Sequence, residues 1–346
     1  MLCFERNSNS KHFIINSAFL TKMPLKEPTT RKIQLYLASV LIYGLGIVLF
    51  QYLPYYQKTL NNHTQDILFY LFLTYLLLAP LYYLFFTTRY STNKPYLFLR
   101  WLINIFRKRK LRFEPEEKVA LLFILVKLFY LPLMINFGYN NFNSLQNFLQ
   151  AYFSGQNTLA WYPLIFTLMF TIDTVIFAFG YAFEFKFLNN VVKSVEPTLF
   201  GWIVALICYP PFNSWVGRYI PWGADDYAQF WNPAWTLIMR IIIVLLLIIY
   251  VWATIALGAK SSNLTNRGIV SRFPYSIIRH PAYVSKNLIW WLTLLPVLNW
   301  PFALGMLFWT VIYYFRAFTE EEHLSQDPEY LEYKKKVRWR FIPFIY

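Results

Sequence analysis

Two short stretches concentrate the reactive side chains of this 346-residue chain. The first, SIIRHPAYVSKN from Ser276 to Asn287, sets an arginine, a histidine and a proline where a polar basic segment turns strongly apolar. Pro281 suits the first turn of a helix, where its missing amide N–H would be unsatisfied anyway. His280 then stands at a helix entrance. With Arg279 beside the positive helix end, it makes a ready site for a carboxylate or phosphate. Along that helix His280, Tyr283, Asn287 and Trp290 or Trp291 recur at steps of three and four, a polar and aromatic stripe. The second stretch, YYFRAFTEEEHL, puts Arg316 and Glu320 four residues apart on one helix face. Taken singly, the first block reads as lipid-headgroup anchoring. The second reads as a surface ion pair worth well under about 1 kcal/mol.

Composition tells what must carry these blocks. The chain is 57% hydrophobic and 21% aromatic, with a mean hydropathy of +0.36, outside the range of a soluble domain. An all-α, polytopic integral membrane protein is expected. Its net charge of +15 argues for basic cytoplasmic loops rather than for nucleic acid, which is not expected as a partner. Cys3 and Cys208 lie far apart, so neither a disulfide framework nor a zinc site is supported, and no metal is expected.

Apolar runs of about 20 residues predict eight transmembrane helices near 33–53, 67–87, 119–137, 159–183, 198–212, 235–258, 284–298 and 302–318. The fifth and seventh are short and carry Pro210-Pro211 and Pro296, so tilted, broken or hairpin forms are open for both. Three regions follow: a cytoplasmic tail 1–32, a transmembrane region 33–258, and a C-terminal catalytic region 259–346 holding the last two membrane helices. Met23 offers an alternative start. All but five of the 32 lysines and arginines fall on one side of this topology, the exceptions being Lys58, Lys127, Arg218, Arg240 and Lys286. Both termini are therefore expected to be cytoplasmic, and the loop near 213–233, with Asp225 and Asp226, to face away. The segment Tyr96 to Phe113 mixes large apolar residues with a basic run, as in a helix lying on an anionic leaflet or in a solvated loop. Lys127, Arg240, Lys286 and Asp173 are intramembrane charges, which tend to face a bundle interior or aqueous cavity. A Lys127–Asp173 pair is expected, and a non-enzymatic transporter stays open.

Together the two blocks resemble the isoprenylcysteine carboxyl methyltransferase and phospholipid methyltransferase superfamily. The matching residues are Arg279-His280-Pro281 with Tyr283, Arg316-Ala317 followed by Glu320-Glu321 and Leu324, and a tail with Tyr330 and Tyr333 before VRWRFIP. Tyr275 fits the aromatic that precedes the motif, and RGIV, positions 267–270, occupies the upstream cofactor stretch. The usual glycine before that aromatic is replaced, FPY standing for GPY. The resemblance covers about the last 90 residues.

It implies an integral membrane enzyme that uses S-adenosylmethionine to methylate a lipidic or prenylated acceptor. By resemblance, His280, Tyr283 and the backbone around Pro281 hold the cofactor, with Ile269, Val270, Tyr275, Arg279 and Glu321 around it and Glu320 balancing its positive charge. Arg316 at this spacing contacts the prenylated substrate in the carboxyl methyltransferases, with Glu320 the second catalytic residue. A guanidinium offers two parallel donors, which suit a carboxylate. Lys286 and Asn287, one to two turns into the membrane, and Trp290 are candidates for gripping the acceptor headgroup. Phospholipid N-methylation is the nearest alternative. Membrane sterol reductases, which bind a nicotinamide cofactor, share an Arg-His-Pro block and a tail near PFIY but lack the Arg-x-x-x-Glu-Glu spacing.

Overall fold

The computed structural model describes residues 29–86, 93–107, 112–155 and 161–345. The polar tail expected over 1–32 lies almost wholly outside them, as do positions 108–111 of the basic run. Helix α1 (Thr29–Tyr52), the short α2 (Pro54–Thr59) and α3 (Asn62–Phe86) lead to α4 (Lys94–Phe106), α5 (Pro115–Phe153) and α6 (Trp161–Ala182). Strand β1 (Ser194–Val195) precedes α7 (Leu199–Leu206), α8 (Phe212–Val216) and α9 (Pro233–Leu257). Strand β2 (Thr265–Asn266), α10 (Pro281–Leu294), α11 (Trp300–Leu324) and α12 (Pro328–Lys336) complete the chain.

One local grammar starts many of these helices. Asn93, Asn232, Asn299 and Asp327 each accept a backbone N–H of the first turn on a side-chain oxygen, and each is followed by proline one or two residues on. Thr198 does the same for α7. Each cap satisfies an amide that the helix itself leaves without a partner, worth about 1 kcal/mol.

Among the described residues, α1, α3, α5, α6, α9 and α11 are long and apolar enough to cross a membrane. The expected fifth and seventh spans differ. The former is the eight-residue α7, followed by a break at Pro210-Pro211; the latter is the fourteen-residue α10, closed by a 3-10 turn at Leu295–Val297. At 1.5 Å per residue they reach roughly 12 and 21 Å, short of the ~30 Å hydrocarbon core. Helix α5 exceeds its expected span in the opposite sense, running 39 residues, because nothing in NNFNSLQNFLQ breaks a helix.

The core joins the two halves of the chain. Tyr130, Leu133 and Val126 of α5 and Tyr181 of α6 are fully buried against Val192 and Val195, which pins the 190–196 segment. Strand β1 then pairs antiparallel with β2, Ser194 opposite Asn266 and Val195 opposite Thr265. The expected Lys127–Asp173 pair does not form. Lys127 donates to Ala182 O at 3.0 Å, whereas Asp173 accepts from Tyr250 Oη at 2.9 Å and Thr254 Oγ1 at 2.5 Å. Ala182 and Asp173 are nine residues apart on α6, roughly 13 Å along the axis.

Gly180 marks the tightest crossing beside the site. A Cβ there would sit 2.0 Å from Ser261 O. Because the obstruction is backbone, Gly180→Ala should destabilise by about 1 to 3 kcal/mol, and a melting temperature equal to that of the unaltered protein would contradict this contact.

Candidate active site

The site is built where the loop after α9, the start of α10, the end of α11 and α12 converge. Arg267, 3% exposed, staples the loop by donating to Ser262 Oγ at 2.9 Å and Asn190 O at 2.8 Å. Asn266 reaches the other way, to Asp327 Oδ2 at 3.0 Å, where Lys193 also lands at 2.9 Å. Gly268 takes φ +91°, a conformation an L side chain resists, and leaves Ile269 and Val270 lining the cavity. Tyr333 donates to Tyr275 O at 2.7 Å, and Tyr330, Tyr333 and Val337 bury together against Ile269, Tyr275 and Leu324.

Helix α10 begins at Pro281, with His280 as its cap residue. The His280 ring lies parallel to Tyr283, centroids 5.3 Å apart. Arg279 sends its guanidinium into the C-terminal tail, donating to Val337 O at 2.9 Å and Arg338 O at 2.7 Å.

The two neighbouring glutamates separate completely. Glu320 lines the cavity and accepts from Tyr283 Oη at 2.7 Å. Glu321, 2% exposed, meets Arg279 Nε at 2.7 Å, Arg340 Nη2 at 3.0 Å, His280 Nε2 at 3.1 Å and Lys334 Nζ at 3.6 Å. It ties α10, α11, α12 and the tail together and is not a cavity residue. Side chains on successive helical positions diverge by about 100°, so they cannot share one task.

Arg316 and Glu320 share a face but not a bond. Arg316, 7% exposed, donates to Asn263 Oδ1, and its guanidinium lies 5.7, 5.2 and 5.6 Å from the rings of Tyr209, Tyr283 and Tyr313. Among the described residues it forms no ion pair. Lys286, one helix over, sits 5.2 Å from the Trp290 ring and 5.7 Å from that of Tyr250, likewise without an ion pair among the described residues.

A single cavity of about 480 Å³ gathers Ile269, Val270, Tyr275, Arg279, His280, Tyr283, Lys286, Arg316 and Glu320 on its wall. Pro281, Glu321, Asn287 and Trp290 stand behind that wall. Asn287 instead donates to Tyr283 O at 3.0 Å, and Trp290 packs edge-on to Tyr313 and Trp222. Burial holds the phenols of Tyr275, Tyr330 and Tyr333 well above their ordinary range, with the Glu320 charge adding to it at Tyr275 and those of Glu321 and Glu320 at Tyr330 and Tyr333. They are neutral hydrogen-bonding walls.

Several wall residues have no motif to announce them. Asn263 and Tyr209 come from a loop and from the break after α7. Glu196 follows β1 and accepts from Thr198 N at 2.9 Å. His323, which meets Ser194 Oγ at 2.8 Å, is legible in one respect: it follows Glu320 by three and so shares its face. The others belong to segments distant in sequence, joined by the β1–β2 pairing and by the bond from Asn263 Nδ2 to Tyr209 Oη at 3.1 Å.

The donor set suits S-adenosylmethionine. Glu320, among the carboxylates of the cavity wall, would stand against the sulfonium's charge, the neutral tyrosines with Ile269 and Val270 would offer flat and apolar surfaces for adenine, and Asn266 and His323 would add polar contacts for the amino-acid end. Among the described residues no group of three His, Cys, Asp or Glu side chains could hold a metal ion. Residues 235–327 match the family model described as phospholipid methyltransferase. No curated protein matches the chain.

Proposed function

We propose that the protein methylates a carboxylate on a lipidic or prenylated acceptor, a reading supported by the match of residues 235–327 to the family model described as phospholipid methyltransferase. S-adenosylmethionine, when bound, supplies the electrophilic methyl group. Arg316 carries the proposal: a buried cation on the cavity wall, with no ion pair among the described residues, held by Asn263 and enclosed by three tyrosines. An acceptor carboxylate gives that guanidinium the bidentate partner it lacks. Glu320, one turn away and roughly 6 Å along the helix, attracts the opposite charge. One helix face would thus hold an anionic acceptor beside Arg316 and a cationic donor beside Glu320. No proton has to be removed from a carboxylate. Tyr283 orients Glu320, His280 stacks against Tyr283 and closes the wall, and the apolar packing around Tyr330 excludes water.

Methylation of a lipid extract with radiolabelled cofactor tests the acceptor class. Base-labile label, released as methanol, is the expected result. Base-stable label would transfer the case to N-methylation, a reading favoured by Lys286 lying below Arg316, where it could meet a phosphate.

Two further outcomes follow from the same site. Glu320→Gln should weaken S-adenosylmethionine binding by about 1.5 to 3 kcal/mol, the range for a charge-assisted hydrogen bond, while a nicotinamide cofactor should give no heat of binding. Calorimetry with the reverse preference would favour the reductase alternative. For topology, the donor mouth is proposed to face the cytoplasm with both termini. In a background lacking Cys3 and Cys208, cysteines at the exposed Ser214 and Ser271 should react with an impermeant maleimide from opposite sides of sealed vesicles. Same-side labelling would defeat that orientation.

A further inference from the structure

The cavity continues far below the level at which methyl transfer is proposed. Its wall includes Asp226, Tyr227 and Asn140 at the end opposite Glu320 and Tyr330. Tyr162, in the first turn of α6, donates to Asp226 O at 2.8 Å, and Gly180, near the end of α6, abuts Ser261 O. Ser262 and Asn263 line the same cavity. From Tyr162 to Gly180 the helix rises roughly 27 Å, close to the ~30 Å of a bilayer's hydrocarbon core.

Polar groups mark every level of that depth. Thr167 lines the cavity on α6, one and a half turns above Tyr162. Asp173 follows, held by Tyr250 and Thr254. Lys286 faces the same space between the rings of Tyr250 and Trp290, and Arg316 comes next. Charged side chains at membrane depth are costly unless they face water, each other or a polar ligand. A pocket for one apolar chain beneath a cytoplasmic cofactor would need none of them below Arg316.

The far mouth is held rigidly. Trp222 packs edge-on to Trp290 and Trp309, 4.9 and 5.7 Å between centroids, and a Cβ on Gly305 would meet Pro221 O at 1.9 Å. The 221–227 loop is thereby wedged onto α10 and α11, leaving Asp226 and Tyr227 both exposed and on the cavity wall.

We propose that the cavity is a through-going polar passage whose far mouth, at Asp226 and Tyr227, admits the charged headgroup of an amphiphilic acceptor from the leaflet opposite the methyl-donor end. Groups of both signs are spread along it, Asp226, Asp173 with Lys286, Arg316, then Glu320, so a headgroup bearing both charges exchanges partners without losing either. That the reacting end lies at Glu320 rests on the function proposed above; the passage itself does not.

The test uses the full chain in sealed phosphatidylcholine vesicles, without Cys3 and Cys208. Cysteines replace Thr167 or Lys286, with Asp226→Cys as the mouth control. A charged, impermeant methanethiosulfonate applied from the Ser214 side should modify Thr167→Cys and Lys286→Cys within about tenfold of the rate at Asp226→Cys. Water-soluble dihexanoyl phosphatidylserine on that side should slow Thr167→Cys labelling at least fivefold. Labelled Asp226→Cys with inert Thr167→Cys would mean a closed bottom and overturn the proposal, as would labelling that the phospholipid leaves unchanged. Calorimetric cofactor binding by each variant reports the folded donor site separately, so failure of the passage is distinguishable from failure of the methyltransferase reading.

Discussion

Replacing Glu321 by alanine should cost the folded protein about 3 to 5 kcal/mol, the range for removing one partner from a buried ion pair. The carboxylate is 2% exposed and receives Arg279 through Nε at 2.7 Å and Nη2 at 3.3 Å, Arg340 at 3.0 Å and His280 at 3.1 Å. Without it, the Arg279 and Arg340 guanidinium groups stay crowded together with their common anion gone. The loss spreads because Arg279 also carries the tail, through Val337 O and Arg338 O and through backbone bonds from Arg279 N to Trp339 O and His280 N to Arg340 O. Glu321→Gln keeps the volume and one acceptor, so its melting temperature in detergent should fall between those of the alanine variant and the unaltered protein. A normal melting temperature with lost cofactor affinity would reverse the assignment and make Glu321 a ligand-binding residue.

Arg316→Lys should lower turnover about a hundredfold, roughly 2.7 kcal/mol of transition-state stabilisation, with cofactor affinity held within a few fold. Lysine keeps the charge but not the planar fork. A single ammonium cannot hold Asn263 and align both oxygens of a carboxylate, and it loses the flat packing among Tyr209, Tyr283 and Tyr313. A purely bracing role would require a Glu320 contact, and Glu320 is bonded to Tyr283 instead. Turnover, calorimetric cofactor affinity and melting temperature measured together separate the two roles. A joint fall of affinity and stability would make Arg316 structural, and unchanged turnover would remove the carboxylate clamp altogether.

Much of the architecture was legible from order alone, because the signals are local. Twenty-residue apolar runs announce helices whatever surrounds them, and an asparagine or aspartate followed closely by proline starts a helix using only its own first turn. The start of α10 is local in another way, set by Pro281 in its first turn, and the shared face of Arg316, Glu320 and His323 is local too, since helical period is a property of the backbone. Spacing stops at the face. The resemblance placed Glu320 and Glu321 together as cofactor residues, whereas in the fold Glu321 is buried among Arg279, Arg340 and His280 and Glu320 lines the cavity. Composition likewise counted α7 and α10 as spans, because an apolar run shows that a segment avoids water, not how far it extends once proline and neighbouring helices bound it. Asn263, Tyr209 and Glu196 reach the site through contacts between segments more than 50 residues apart, and the expected Lys127–Asp173 pair fails for the same reason: each charge takes the partner that packing brings nearest. Local preference decides which helices form and where they begin; the choice among many possible partners for each polar group is made by the desolvation cost of leaving any of them unpaired, which only the assembled bundle can evaluate.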